Sequence, residues 1–303
     1  MAFLLTCIGA IFFALKVIYN VRDVRAQKEK NLSPALALGG SFMAASIYLA
    51  LLWVILFIFG VVHFPQSRIF WMSLGVTVVI NVIFEMWRFT SYKTADLSLT
   101  APFAGIAPVL TIVTSWIFLG ELPTIFGGIG IGFIALCLYL LYLKPPFTWK
   151  NFTQPIRSIW EHPGVRLGFL SALPPALSIV FDKKAVLASD PISFSVLAFF
   201  FIGVSALLFG SVREKGKEFF SQLNQMHIQR FFKIGFFHFV SIAAFNSALL
   251  FDVLPHVSAL RRLSIVFEVV FAYFLLDQKQ DMKKRLLASF GVVLGITCIV
   301  LFQ

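Results

Sequence analysis

The chain has 303 residues, of which 59% are hydrophobic, 16% aromatic and only 13% charged, with a mean hydropathy of +0.90. Soluble domains sit nearer half apolar and a quarter charged, so this composition excludes a soluble globular protein and points to a polytopic membrane protein. The formal net charge of +11 does not indicate nucleic acid, because Lys and Arg are scattered between apolar stretches rather than gathered on one module.

Ten apolar stretches read as membrane spans, at roughly 2–21, 34–62, 69–90, 97–119, 124–143, 164–184, 192–212, 231–251, 256–276 and 285–302. The N-terminus lacks a basic region and a small-residue cleavage pattern, so the first span is expected to be retained. Lys16 in that span either snorkels to the interface or lines a site. A basic linker, Arg22 to Asn31, leads to Ser33-Pro34, a capping residue followed by proline at the first helical position.

Span three carries Thr77, Asn81, Glu85, Arg88 and Tyr92 on one face, with Glu85 and Arg88 three residues apart and able to pair. Such a stripe is costly against lipid and belongs in the bundle interior, as a structural ion pair or as a cavity wall. Span four is uncharged from Leu99 to Leu119. Thr100, Ala104, Ala107, Thr111 and Ser115 form a small, weakly polar stripe, and Pro102 and Pro108 each remove a backbone donor. Gly120-Glu121-Leu122-Pro123 then stops the helix.

The widest gap, 144–163, holds Pro145-Pro146, Trp149 and Trp160, aromatic rings suited to the headgroup zone, and divides the spans five and five. Span six puts Ser171, Pro174, Pro175, Ser178 and Asp182 on one face, and its double proline predicts a bent or broken helix. Span seven opens with Asp190-Pro191. Span eight has His238, Ser241 and Phe245 on one face, with Asn246 beside it. Span nine has Arg261, Ser264 and Glu268 on one face. Arg261 and Arg262 are expected at the start of that helix, against the dipole, where an anionic solute group, Asp182 or Asp252 would offset them. Glu268 lies deepest in apolar sequence and is the first candidate for proton coupling, with Glu85 the second. Gly128 and Gly132 in span five and Gly291 and Gly295 in span ten fit close helix packing, within the fold or in a homodimer.

The two halves repeat. Ala107-Pro108-Val109-Leu110 aligns with Phe267-Glu268-Val269-Val270, and Ala14 to Asn20 with Ala176 to Asp182, both at offsets close to 160 residues. An odd number of spans per copy makes consecutive copies cross in opposite directions, as in inverted-repeat carriers. The fold class is therefore an all-α membrane protein of ten transmembrane helices. They are arranged as two inverted five-helix repeats, 1–145 and 164–303, joined by a loop at 146–163. Nineteen Lys and Arg fall after odd-numbered spans and three after even-numbered ones, which puts both termini outside the cytoplasm.

Other signals fail. The glycines of Gly210 to Gly216 are spaced wrongly for a P-loop and Glu218 stands where Ser or Thr is needed. Cys7, Cys137 and Cys298 lie in spans without metal spacing. No cofactor or metal is called for.

The stretches SYKTADLSLTAPFAGIAPVLTIVTSWIFLGELPT and PHVSALRRLSIVFEVVFAYFLL, with ten spans in two halves, resemble the EamA-type branch of the drug/metabolite transporter superfamily. The resemblance implies an inverted-repeat carrier whose central cavity is lined by spans 1, 3, 4, 6, 8 and 9. Members of that family usually keep both termini cytoplasmic, and the second copy here has Glu268 where the first has Pro108.

The expected function is secondary transport, not enzymatic catalysis. A small polar, anionic or zwitterionic metabolite would cross a bacterial inner membrane by alternating access, with proton or exchange coupling. Substrate contacts are expected from Asn81, Glu85, Arg88, Tyr92, Pro108, His238, Asn246, Arg261, Ser264 and Glu268. The partners are a small solute and membrane lipid, with no nucleic acid. A lipid or lipid-linked sugar flippase of the same fold, or an intramembrane enzyme using Glu85, His238 and Glu268, are the alternatives.

Overall fold

A computed structural model describes residues 1–27, 33–94, 106–143, 148–213, 216–221, 225–276 and 282–301, with side chains described at all of these except 20–27, 34, 85–94, 142, 216–218, 225–227, 276 and 282–284. Among the described residues there are helices and no strands. They are α1 (Ala2–Gln27), α2 (Pro34–Ile58), α3 (Arg68–Thr94), α4 (Ala107–Leu119), α5 (Ile125–Tyr142), α6 (Trp149–Glu161) and α7 (Pro163–Leu170). There follow α8 (Leu173–Ala188), α9 (Pro191–Arg213), α10 (Gly216–Ser221), α11 (Gln225–Ala248), α12 (Leu254–Leu260), α13 (Leu263–Leu276) and α14 (Met282–Leu301).

Among the described residues, five segments are long and apolar enough to cross a membrane: Ala2–Tyr19, Ala35–Ile58, Pro163–Ala188, Pro191–Arg213 and Ile228–Ala248. Shorter apolar helices cover Arg68–Phe84, Ala107–Leu119, Ile125–Leu141 and Arg285–Leu301. Large apolar side chains such as Leu51, Ile55, Ile58, Trp116, Ile125, Phe126 and Ile129 point outward, the surface a hydrocarbon solvent demands.

Proline chemistry sets the interruptions. The span at 163–188 breaks at Ser171-Ala172, with Pro174 and Pro175 in the first turn of α8, where a missing N–H removes no intrahelical bond. The Ser171 hydroxyl donates to the Gly168 carbonyl at 2.7 Å, satisfying an acceptor that the break frees. Pro108 likewise sits in the first turn of α4. Pro102 lies outside the described residues, as do Thr100 and Ala104. Asp190 caps α9 by accepting from the Ile192 and Ser193 amides at 2.9 and 2.8 Å. The Ser33 hydroxyl makes no such cap on α2. Gly120 ends α4 at φ +69°, and the amides of Gly120 and Glu121 return to Trp116 and Ser115.

The connecting stretch 146–163 is not a plain loop. It contains α6, capped by Thr148, whose hydroxyl accepts from the Asn151 amide.

Packing is pairwise. The pair α1–α11 faces the pair α3–α8, α2 lies between α9 and α11, and α9 also touches α3. Helix α1 meets α13, α4 meets α8 and α12, and α5 packs along α14. The main buried cluster runs through Phe70 and Leu74 of α3, Ile179 and Val180 of α8, Phe194 of α9, Ala248 of α11 and Val257 of α12. The α5–α14 contact rests on backbone proximity at Gly130 and Gly295, where a Cβ on Gly130 would lie 2.5 Å from the Gly295 carbonyl oxygen. Gly291 packs on Cys137, whereas Gly128 and Gly132 face open space, so the close contact on α5 uses the intervening glycine.

Candidate functional site

Charged and polar side chains from both halves of the chain meet inside this apolar bundle. On α8, the Asp182 carboxylate accepts from Thr77 of α3 at 2.8 Å and from Ser178 one turn below it at 3.4 Å. Asn81 donates to the Ser178 hydroxyl at 2.8 Å and to the Thr77 carbonyl at 2.9 Å. The upper part of the span-three stripe therefore faces α8. Glu85, Arg88 and Tyr92 continue α3, but their side chains lie outside the described residues.

Span nine is two helices, α12 and α13, with Arg261 and Arg262 in the turn between them. This corrects the expected dipole conflict. The arginines follow the C-terminus of α12, the end of a helix where positive charge is favourable. Arg261 donates to the Asn246 side-chain oxygen at 3.3 Å and lies 4.6 Å over the Phe245 ring. Its charge also interacts with Asp182 and Arg262. Asn246 in turn donates to Ser195 of α9 at 2.9 Å.

Glu268 accepts a hydrogen bond from Ser264, and the positive charges acting on it are Arg262 and Lys16. The expectation that Arg261 and Glu268 share one face assumed an unbroken helix. The turn at 261–262 resets the rotational phase, and Arg262 becomes the nearby cation. Lys16 does not snorkel away: its ammonium lies 3.2 Å from His238 Nε2 and 5.1 Å over the Phe13 ring. His238 is only 7% exposed, edge-on to Phe42 and Phe199, and its Nδ1 has no hydrogen-bond partner. The Ser241 hydroxyl one turn away is also buried without a partner.

Pro108 is buried on α4 with Ala107, Thr111 and Ser115, so the small stripe faces protein as its residue types require. Thr111 lies 3.2 Å from Ser258 of α12 and Thr114 donates to the Ala176 carbonyl at 2.7 Å. This stripe serves close packing.

A second cluster was not legible as a site. Lys183, one of the three cations (with Arg68 and Lys184) counted after even-numbered spans, is 5% exposed and forms a 2.7 Å ion pair with Glu121, whose other carboxylate oxygen accepts from the Leu254 amide at 2.7 Å. Lys183 also donates to the Asp252 carbonyl at 2.8 Å, and the Asp252 carboxylate lies 3.1 Å from His256 Nδ1. One bridge thus fastens the α4–α5 turn to α8 and to the start of α12. The only sequence signal was the Gly-Glu stop, which puts a carboxylate at the end of a span. Among the described residues, no group of His, Cys, Asp and Glu could hold a metal ion.

Comparisons with known proteins agree with this architecture. The EamA-like transporter family matches residues 162–301. Twenty-four chains of solved structures match. One of them, a crystal structure of a protein with 12% sequence identity, superposes with a TM-score of 0.71 over 96% of this chain and 96% of its own. At that identity the likeness shows the fold alone. No curated protein matches. The bundle has membrane-spanning character, and its second half, residues 162–301, matches the EamA-like transporter family, consistent with an EamA-type transporter of the drug/metabolite transporter superfamily.

Proposed function

We infer that the protein is a secondary transporter moving a small polar, anionic or zwitterionic metabolite by alternating access between two five-helix halves. The observation that carries this reading is the convergence of Lys16, Asp182, His238, Arg261, Arg262 and Glu268, from α1, α8, α11, the α12–α13 turn and α13, inside an apolar bundle. Ionisable groups at that depth are expensive and are retained where they meet solutes or protons. Helix pairing supports an inverted repeat. Exchanging the first five spans with the last five maps α1–α11 onto α3–α8, α1–α13 onto α4–α8, and α2–α11 onto α3–α9, while α2–α9 and α5–α14 map onto themselves.

The Lys16 ammonium and the Arg261 and Arg262 guanidiniums, three fixed cations in the central group, suit a solute that brings negative charge. Glu268 is the proton-coupling residue in this reading, because taking up a proton would release its electrostatic hold on Arg262 and Lys16 and so link protonation to the freedom of those cations. The closed Glu121–Lys183 bridge seals one mouth.

The test is uptake and counterflow in proteoliposomes with a panel of labelled amino acids and small carboxylates. Glu268→Gln is expected to lower proton-driven uptake at least tenfold while leaving counterflow within about threefold, the pattern of a lost coupling step. Equal loss of both modes overturns the coupling role. Movement of labelled lipid between leaflets without any solute uptake would favour a flippase. The Lys/Arg distribution supports both termini outside the cytoplasm of an inner membrane, and a cytoplasmic signal from reporters fused at Met1 and Gln303 would reverse that orientation.

A further inference from the structure

We propose that α6 lies in the plane of the membrane and docks on a leaflet rich in anionic phospholipid, through an apolar arc of Trp149, Ile156 and Trp160 edged by Lys150 and Arg157. The proposal rests on the membrane placement of the bundle and is independent of solute and coupling.

Helix α6 has thirteen residues, about 20 Å of rise, too short for a hydrocarbon core of about 30 Å. It also carries Lys150, Asn151, Gln154, Arg157 and Glu161, so it does not belong inside that core. Its two faces differ in what they meet. Pro155 and Ser158 are buried toward the bundle, and Ile159 packs with Ile106, Leu110, Val165, Phe169 and Ala172. At 100° per residue, Trp149, Ile156 and Trp160 fall within an arc of about 40°. They are 76%, 49% and 79% exposed.

Three large apolar side chains aligned on one arc, two of them indoles, match a helix whose outer edge sits at headgroup depth. The charges complete the pattern. Lys150 and Arg157 lie together at about 80–100° from the centre of the arc, where long side chains reach phosphate oxygens while their stems stay along the apolar edge. Glu161 is the one carboxylate on that side. Arg166 adds a further exposed cation and donates to the last carbonyls of α6, at Ile159 and Trp160, both at 3.3 Å.

The helix is also held rigidly in this attitude. The Tyr139 hydroxyl of α5 donates to the Phe152 carbonyl at 2.6 Å, and the Phe152 ring stacks with Trp149 at 5.6 Å. Helix α6 is joined to α5 and α7, the spans on either side of it, so its height is that of their ends. The arc therefore cannot turn into the bundle without breaking those contacts. It must face either lipid or water.

Tryptophan quenching in proteoliposomes distinguishes the two. The intact protein is reconstituted in phosphatidylcholine vesicles containing phosphatidylglycerol, with bromine placed high on the acyl chains of one lipid or the other. The Trp149→Phe/Trp160→Phe variant supplies the background of the remaining four tryptophans. Subtracted emission is expected to be quenched by the shallow brominated lipids and shielded from aqueous acrylamide. Brominated phosphatidylglycerol should quench it about threefold more than brominated phosphatidylcholine at equal mole fraction. Lys150→Gln/Arg157→Gln, both exposed and outside the core, should bring that ratio to about one while leaving acrylamide shielding in place. Strong acrylamide quenching with no effect of brominated lipid overturns the in-plane placement. A quenching ratio near one in the unaltered protein overturns the preference for anionic lipid.

Discussion

Lys183→Met is expected to destabilise the detergent-solubilised protein by about 3 kcal/mol and to open one mouth of the bundle. The reason is what it leaves behind. Glu121 would keep the Leu254 amide at 2.7 Å but lose the ammonium that neutralises it, in a site where the lysine itself is almost fully buried. The Asp252 carbonyl would lose its donor as well. Methionine conserves most of the volume, so the effect reports charge and hydrogen bonding rather than a cavity. Lys184→Met is the control: that ammonium lies 5.6 Å over the Phe118 and Phe181 rings, a partly exposed contact, and its removal should cost less than about 1 kcal/mol.

Melting curves check the first expectation. The second is checked in a background lacking Cys7, Cys137 and Cys298, by a membrane-impermeant thiol reagent against cysteine placed at Ser258, which is 5% exposed one turn along α12 from the bridge. Labelling should rise several-fold in Lys183→Met. If melting and labelling both stay unchanged, the bridge does not hold this face.

Arg261→Ala is expected to abolish transport and to cost about 1–3 kcal/mol of stability, because Asp182 keeps its Thr77 and Ser178 hydroxyls but loses a nearby positive charge. Asn246 would also lose its donor and Phe245 its stacked cation. The double variant Arg261→Ala/Asp182→Asn removes the unpaired charge and should regain most of that stability. It should not regain transport if the guanidinium meets solute. Uptake in proteoliposomes beside melting temperatures for both variants checks this, and uptake that returns with stability would leave Arg261 a structural role only. Arg261→Lys is not a safe substitute, since an ammonium cannot stack flat on Phe245 while donating to Asn246.

The mixture of legible and illegible features follows from the range over which each signal acts. Prolines 174 and 175 told of a broken span because the missing donor is a property of one residue in one helix. The buried stripe of Ala107, Thr111 and Ser115 was likewise visible, since helical period and residue size suffice to mark a packed face. The same reasoning misjudged span nine. A helical wheel assumes continuous phase, and the turn at Arg261-Arg262 breaks it, moving Arg262 rather than Arg261 toward Glu268.

What the amino-acid order determined alone was the membrane class, the approximate positions of the apolar helices among the described residues, the proline break in the span at 163–188, and the presence of charged side chains inside apolar stretches. All of these are set by composition and by neighbours within a few residues. The tertiary structure decided which charges meet: Lys16 with His238 across 222 residues, Thr77 with Asp182 across 105, Glu121 with the Leu254 amide across 133. It also turned Lys183 from a cation counted after an even-numbered span into the centre of a bridge. Hydrophobic period says that a residue faces inward, but the partner it finds there depends on how distant helices pack, and that is a property of the whole bundle.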